Sequence, residues 1–385
     1  MSSQSTGSDH FDAVACPFCG LLCDDLRVAV TGSVPRVVAR GCGRSQVQFA
    51  AQPAQKIAPL IEGKQTSLDS AVLRAAQILR EARLPVLISA GTDVAGMRAL
   101  IALAERVGGV VDHANSDALM RNLLVLQDTG WISTTFTEVR NRADLIIIAG
   151  SGATSRFPRF LERCLQNSEP LFVSGEREIW FLGKLPADLP AVLQRRSTSI
   201  DIEPKQLGEV FAALRALMAD RPLRAARVAG IALERLSQLL SRMREARYGV
   251  LTWAAAELDF PHAELAIQSM CELVQALNAK TRFSVLPLAG SDGDVTATQV
   301  CTWQTGYPLR VSFAGGAPHF DPLANSASAL LANGNADAVV FVSALDSQRS
   351  APVSRARTIV LGRPGTSAGD AAVFIPVATP GIHHA

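Results

Sequence analysis

The sequence predicts an α/β protein in which buried strands alternate with helices. Apolar runs of strand length, such as Leu145–Ala149, alternate with stretches whose apolar residues recur every three or four positions. Hydrophobic residues make up 48% of the 385 residues and aromatic residues only 5%, which is typical of strands covered by helices on both faces. Glycines follow several strand-length runs, as at Gly91 and Gly150, where the chain must turn into the next helix.

The first 45 residues differ from the rest. Residues 1–12 are polar, and we expect them to form a disordered tail. Residues 13–45 are rich in Gly and Cys and contain two β-like stretches, at 26–30 and 34–39. The turn residues Thr31-Gly32-Ser33 between these stretches predict a hairpin.

From Ser67 onward, strand and helix patterns alternate. Ser67 is predicted to cap a helix in which apolar residues from Leu68 to Leu79 recur at helical spacing. The predicted strands that follow are 85–91, 110–112, 144–149, 171–173, 249–253, 283–286, 338–342, 358–361 and 373–377. The predicted helices between them are 94–107, 156–166, 207–219, 230–246 and 264–278. This alternation implies right-handed βαβ units with parallel strands.

Charge and patterning exclude several classes of protein. The 37 Lys and Arg residues nearly balance the 35 Asp and Glu residues, and no basic block occurs, so we expect no nucleic-acid partner. No apolar run approaches the roughly 20 residues needed to cross a bilayer, so we expect no membrane association. The acidic, polar start of the chain does not resemble a signal peptide. We therefore expect a cytoplasmic protein.

Four of the seven cysteines lie within the first 42 residues. Cys16, Cys19, Cys23 and Cys42 follow the spacing C-x2-C-x3-C-x18-C. Four thiolates can ligate one [4Fe–4S] cluster or one Zn²⁺, and the closely spaced first three favour the cluster, because its ligands must come from one wrapping loop. The alternative is a set of reduced thiols that holds no metal. The spacing leaves both states open.

Other strand-end residues give weaker signals. The segment from Gly150 to Ser155 follows a predicted strand but lacks the third glycine of G-x-G-x-x-G, so it is a weak phosphate loop. His113 follows a predicted strand and has the chemistry of a general base, although a polar histidine at a strand end is the commoner interpretation. The sequence contains no Walker A loop.

Three stretches, taken together, resemble the B subunit of formylmethanofuran dehydrogenase, a short member of the molybdopterin oxidoreductase superfamily. They are the Cys16–Leu26 motif with Cys42, the stretch Leu126-Gln127-Asp128-Thr129-Gly130-Trp131 followed by residues 138–144, and the Trp303-Gln304-Thr305-Gly306 loop. The resemblance spans most of the chain. It implies a small N-terminal Cys-rich domain at 1–55, a discontinuous Rossmann-like α/β domain at 56–135 and 245–385, and an inserted Rossmann-like α/β domain at 136–244.

The chain departs from this family at the expected metal ligand. The resemblance implies a Cys or selenocysteine that binds molybdenum or tungsten shortly before Leu126, but no cysteine lies between Cys42 and Cys164. Asp117 offers an oxygen ligand without the surrounding motif, and Arg121 brings a positive charge that also suits a pterin phosphate. We therefore expect no molybdopterin and no catalytic residue in this chain.

A relative within the family fits this loss. The formyltransferase/hydrolase complex of methylotrophic bacteria has A-, B-, C- and D-like subunits and converts formyl-tetrahydromethanopterin to formate. The resemblance implies a non-redox B-like scaffold subunit with A-, C- and D-like partners in one-carbon oxidation. The alternative is an active molybdenum or tungsten formylmethanofuran dehydrogenase subunit. A lone zinc- or iron–sulfur-binding electron carrier is a third, weaker hypothesis.

Overall fold

The structure, a computed structural model, describes residues 8–32, 34–51, 57–166, 170–173 and 175–383. Its strands are β1 (Asp9–Val14), β2 (Leu26–Thr31), β3 (Val34–Ala39), β4 (Leu60–Ile61), β5 (Lys64–Gln65), β6 (Pro85–Ser89), β7 (Val110–His113), β8 (Leu145–Ala149), β9 (Glu178–Leu182), β10 (Ser197–Ile200), β11 (Arg227–Val228), β12 (Ile231–Ala232), β13 (Tyr248–Ala254), β14 (Arg282–Leu288), β15 (Val311–Ser312), β16 (His319–Phe320), β17 (Ala338–Ser343), β18 (Arg357–Gly362) and β19 (Val373–Pro376).

The helices are α1 (Gly43–Ala50), α2 (Leu68–Glu81), α3 (Val94–Val107), α4 (Ser116–Asp128), α5 (Phe136–Arg142), α6 (Gly152–Arg156), α7 (Ala191–Gln194), α8 (Leu207–Met218), α9 (Leu233–Glu245), α10 (Ala263–Leu277), α11 (Asp294–Thr305) and α12 (Ala327–Ala332). A π-helical turn lies at Glu162–Gln166, and 3-10 turns lie at Pro204–Gln206 and Ser291–Gly293. The protein is thus a mixed α/β fold with several sheets.

The chain forms two compact units. The discontinuous unit consists of Met1–Ser116 and Gly290–Ala385, and the inserted unit is Asp117–Ala289. Each unit is built around its own sheet and its own hydrophobic core. No helix among the described residues is both long and apolar enough to span a bilayer.

The discontinuous unit contains a nine-stranded sheet in the order β16-β15-β7-β6-β17-β18-β19-β4-β5. The central strands from β7 to β19 in this order are parallel, and antiparallel β15 and β4 flank them. The parallel strands are apolar and almost fully buried, so alternate residues pack on both faces. Val339 and Phe341 contribute to the core on one of these faces.

The inserted unit contains a five-stranded, wholly parallel sheet in the order β10-β9-β8-β13-β14. Trp253 of β13 is fully buried in its core, and its indole N–H donates to Asn122 Oδ1 at 3.0 Å. The ring of Trp131 meets Trp253 edge-on at a centroid distance of 6.2 Å. The buried indole therefore has both an apolar environment and a hydrogen-bond partner.

The N-terminal region forms a separate antiparallel sheet, β1-β2-β3. The predicted hairpin is confirmed, because Thr31 pairs with Val34, although Ser33 of its turn lies outside the described residues. The prediction of a disordered tail over 1–12 is wrong at 9–12, which belong to β1. Residues 1–7 of that predicted tail lie outside the described residues.

Two expectations about strands and boundaries need correction. Residues 171–173 form no strand: Leu171 and Phe172 are mostly exposed, and the strand in this region is β9. The predicted boundary at 244–245 assigns β13 and β14 to the discontinuous domain. The structure places both in the inserted unit, because β13 pairs with β8 on one side and with β14 on the other.

Candidate functional site

The first three candidate ligands lie on a tight loop between β1 and β2. The loop closes on itself, because Cys16 N–H donates to Cys23 O at 2.7 Å and Leu22 N–H donates to Cys19 O at 3.2 Å. Leu22 adopts a left-handed conformation with φ of 46° to make this turn. Cys16, Cys19 and Cys23 are all buried, and all seven cysteines are free thiols.

Cys42, the fourth candidate ligand, is the N-cap of α1. Its Sγ accepts from Ser45 N–H at 3.5 Å, and Ser45 Oγ accepts from Cys42 N–H at 2.9 Å, which together form a capping box. Among the four candidate ligands, Cys42 is the one that is only partly buried.

The four thiols lie close enough for their charges to interact. Burial, opposed by a backbone hydrogen bond from Phe18 and reinforced by the charges of the neighbouring cysteines, raises the pKa of Cys16 to about 12. Burial also raises the pKa of Cys19, while the charge of Arg44 opposes the rise. Burial and mutual repulsion thus disfavour a bare thiolate at Cys16 and Cys19, so these thiols stay protonated at neutral pH.

Two features of these residues, their chemistry and their arrangement, bear on whether they can hold a metal. Four sulfur donors suit an iron–sulfur cluster or Zn²⁺. Yet among the described residues, no group of three or more His, Cys, Asp or Glu side chains is arranged to hold a metal ion. Cys42 Sγ accepts a backbone hydrogen bond at the start of α1, as sulfurs that ligate a cluster also do. The chemistry of the donors fits a metal, but their arrangement in this structure does not.

A buried ionic cluster lies in the same unit, centred on Asp292. This residue is 3% exposed and has a left-handed backbone with φ of 55° in the 3-10 turn Ser291–Gly293. Its carboxylate accepts from the guanidinium groups of Arg44 and Arg349, and Arg349 also donates to Asn115 Oδ1 at 3.0 Å. Burial alone would raise the pKa of Asp292, but the charges of Arg349 and Arg44 outweigh it and the pKa lies below its ordinary value.

The Asp292 turn packs directly on the cysteine loop and on the end of β6. A Cβ at Gly290 would lie 2.6 Å from Gly20 Cα, and one at Gly293 would lie 3.1 Å from Thr92 O. Both glycines also have positive φ. Because no side chain fits at either position, Gly290 and Gly293 allow this turn to approach both neighbours.

His113, the predicted strand-end base, is buried at the carboxyl end of β7. Its Nδ1 accepts from Asn115 N–H at 2.9 Å, so Nε2 carries the proton and donates to Asp292 O at 3.0 Å. Burial lowers the pKa of His113 to about 4. The imidazole is therefore neutral with both nitrogens engaged, which favours the structural interpretation over a general base.

A buried cation, Arg363, joins α1 to the carboxyl end of β18. Arg363, which directly follows β18, is fully buried. Its guanidinium donates to Gln48 O at 2.9 Å, Gln48 Oε1 at 2.8 Å, Leu345 O at 3.1 Å and Ala51 O at 3.2 Å. It also lies 5.6 Å from the ring centroid of Phe18 in the cysteine loop. Arg363 thus caps the carboxyl end of α1 and contacts the loop that carries the thiols.

The residues expected near a molybdenum site are placed differently. Asp117 is exposed in the first turn of α4. Arg121, one turn later, donates to Ala255 O at 3.2 Å and pairs with Asp259 in the inserted unit. The charge of Arg121 is therefore already balanced within its own unit.

The Trp303-Gln304-Thr305-Gly306 motif is the last turn of α11 rather than a loop. Gly306 ends the helix in a left-handed conformation with φ of 82°. Cys301 faces the core, while the Trp303 side chain is 68% exposed. The interpretation of this motif as a loop is therefore wrong.

Sequence reasoning misses Asp292, Arg44, Arg349 and Arg363. The glycine-rich segment 290–294 signals a turn, but the arginine partners of Asp292 lie 248 and 57 residues away in the chain. No local motif marks a single arginine that becomes buried through such distant contacts.

Comparison with known proteins identifies relatives that match most of the chain. No family model matches it. It is 29% identical to the B subunit of the tungsten-containing formylmethanofuran dehydrogenase 2 of Methanocaldococcus jannaschii, over 86% of this chain and 78% of that protein. It is 28% identical to the B subunit of the formyltransferase/hydrolase complex Fhc of Methylorubrum extorquens, over 84% of this chain and 86% of that protein.

The fold agrees with a solved structure. A chain in the crystal structure of the formyltransferase/hydrolase complex FhcABCD from Methylorubrum extorquens with methylofuran matches at a TM-score of 0.73 and 27% identity. The match covers 84% of this chain and 87% of that one. The chain is a homologue of the B subunits of formylmethanofuran dehydrogenase and of the Fhc complex.

Proposed function

We propose that this chain is the B subunit of a formyltransferase/hydrolase complex that acts in tetrahydromethanopterin-linked oxidation of formaldehyde to formate. The similarity to the Fhc B subunit over most of both chains supports this role. In this role the chain is a cytoplasmic scaffold that contacts A-, C- and D-like subunits and runs no reaction itself. The finer architecture that we propose is molybdopterin-oxidoreductase-like, with a Cys-rich N-terminal domain and two Rossmann-like domains.

One observation supports this role over that of a redox subunit. A molybdenum or tungsten site in this family needs a soft ligand before Leu126, and the region offers Asp117 on the exposed side of α4 instead of a cysteine. Without that ligand the metal loses its anchoring bond to the protein. The similarity to a tungsten-containing dehydrogenase favours the alternative, an active redox subunit.

The proposal keeps Cys16, Cys19, Cys23 and Cys42 as the candidate metal ligands. Their sulfur chemistry supports one [4Fe–4S] cluster, and the backbone hydrogen bond to Cys42 Sγ is compatible with a ligated sulfur and with a free thiol. A scaffold subunit passes no electrons, so the proposed function is compatible with both states.

The composition of the native complex tests the proposed role. We expect an affinity tag on this chain, expressed from its own locus, to copurify A-, C- and D-like subunits in constant ratio through gel filtration. The purified assembly should convert formyl-tetrahydromethanopterin to formate without an added electron acceptor. Purification of the chain alone, or an assembly whose turnover requires an electron acceptor, would contradict the role.

A further inference from the structure

The turn after β8 occupies the place where open α/β sheets usually bind ligands. In the order β10-β9-β8-β13-β14, the chain runs outward in opposite directions from the junction between β8 and β13. Ligands of such sheets bind beyond the carboxyl ends of the strands at this switch point. The turn residues Gly150, Ser151 and Gly152 lie at that end of β8.

A carboxylate of the same unit already occupies this turn. Glu257 Oε1 accepts from Ser151 N–H at 2.8 Å and from Ser151 Oγ at 2.9 Å, and Glu257 Oε2 accepts from Gly152 N–H at 2.6 Å. Glu257 follows β13, the strand on the other side of the switch point. One carboxylate therefore uses two backbone N–H groups and a hydroxyl, the donors that a phosphate group takes in a glycine-rich turn.

The absence of side chains at Gly150 and Gly152 leaves space for this carboxylate. A Cβ at Gly150, where φ is +88°, would overlap Glu257 Oε2, and one at Gly152 would lie 2.7 Å from the same oxygen. Neither position therefore tolerates a side chain while Glu257 is bound. The glycines that suggested a weak phosphate loop leave room for Glu257.

The discontinuous unit shows the same arrangement through different residues. Asp292 places its buried carboxylate between the guanidinium groups of Arg44 and Arg349, beside the carboxyl ends of β6 and β7. Paired arginines are a common recognition element for phosphates. Here Asp292 holds both of them.

We propose that Glu257 and Asp292 are built-in anions that occupy, each within its own unit, the strand-end position of a ligand phosphate. Because the turn and the arginines are already occupied by these carboxylates, neither unit binds phosphate-bearing cofactors such as pterin dinucleotides at these positions. This inference rests on the proposed non-redox role and deepens it, because it assigns to two residues the task of replacing the charge of an absent ligand.

Binding of inorganic pyrophosphate to the full-length chain tests this at Glu257. We expect isothermal titration calorimetry to detect no saturable binding to the wild-type chain at millimolar pyrophosphate. The Glu257→Ala variant should bind at least about tenfold more tightly than wild type, because it frees two N–H groups and a hydroxyl for charge-assisted hydrogen bonds. Glu257→Gln keeps the side-chain volume and should also gain binding, which covers the case in which the alanine variant is too unstable.

A matched control distinguishes the loss of the carboxylate at the turn from the loss of a negative charge elsewhere in the unit. Glu234→Gln removes one negative charge at an exposed position of α9 in the same unit and should leave pyrophosphate binding as in wild type. Tight binding to wild type, or no gain in either Glu257 variant that folds by circular dichroism, would overturn the inference. An equal gain in Glu234→Gln would also overturn it. None of these results bears on whether the chain assembles with A-, C- and D-like subunits.

Discussion

Replacement of Arg363 by Met is expected to lower the free energy of unfolding of the full chain by about 3 kcal/mol or more, measured by urea titration. The guanidinium is fully buried and donates to the carbonyls of Gln48, Ala51 and Leu345. Met fills similar volume but leaves these buried acceptors without a donor. The penalty for each unsatisfied buried group is about 1–3 kcal/mol, and several groups are affected at once.

The same substitution should loosen the cysteine loop. Phe18 packs between Arg363 and Phe49 of α1, so the loss of Arg363 removes support from both the loop and the helix. We expect Ellman's reagent to modify Cys16, Cys19 and Cys23 faster in Arg363→Met than in wild type. The control is Arg357→Met at the start of β18, which removes an exposed ion pair with Glu81 and should change neither the unfolding midpoint nor thiol reactivity. Equal stability of the two variants would contradict the role of Arg363.

Replacement of His113 by Asn is expected to change how stability depends on pH between about 6.5 and about 4. The pKa of His113 falls from about 6.5 in the unfolded chain to about 4 in the folded chain, because it is buried and because its Nδ1 already accepts a hydrogen bond. In this window the unfolded chain binds more protons, so the contribution of His113 to stability is complete above a pH of about 6.5 and declines as the pH falls. The decline is on the order of 3 kcal/mol.

The difference in the free energy of unfolding between the variant and wild type isolates the contribution of His113. Asp112 and Asp294 have pKa values raised to about 6 by burial and act in the opposite direction over the same window, but they do so in both proteins. Arg349 and Asp292 face the imidazole, and Asp292, whose pKa is lowered by Arg349 and Arg44, keeps its charge over most of this window. We expect the His113→Asn variant to gain stability relative to wild type as the pH falls to about 4, measured by urea titration at each pH. His319→Asn, at an exposed position, is the control for the loss of a histidine as such. A constant difference for His113→Asn would show that the pKa of His113 is not lowered.

The parallel strands are predictable because their side chains are buried on both faces. β6, β8 and β17 are continuous apolar runs, and the sequence pattern predicts each of them within two residues of its ends. The prediction misses β9, whose apolar run after Glu178 is only four residues long, and places a strand at the exposed Leu171 and Phe172. The local sequence pattern shows which runs are apolar. Which of those runs becomes buried depends on contacts with distant parts of the chain.

The domain boundary and the ionic clusters depend on distant partners. β13 joins β8 through pairs such as Gly249 with Leu145, and no periodicity within either strand specifies that choice. The cysteine set is visible because its spacing is local. The Asp292 cluster is not visible, because Arg44 and Arg349 come from opposite ends of the chain. Short-range motifs thus reveal candidate ligands, while the residues that stabilise the surrounding structure emerge only from the fold.

Metal and pterin analysis of the native complex, purified through the tagged chain, tests the non-redox role most directly. We predict no stoichiometric molybdenum or tungsten and no pterin, because the region before Leu126 supplies no cysteine ligand. Iron and acid-labile sulfide measured on the same sample will decide whether the four thiols hold a cluster. One molybdenum or tungsten per chain, with two pterins, would contradict the non-redox role.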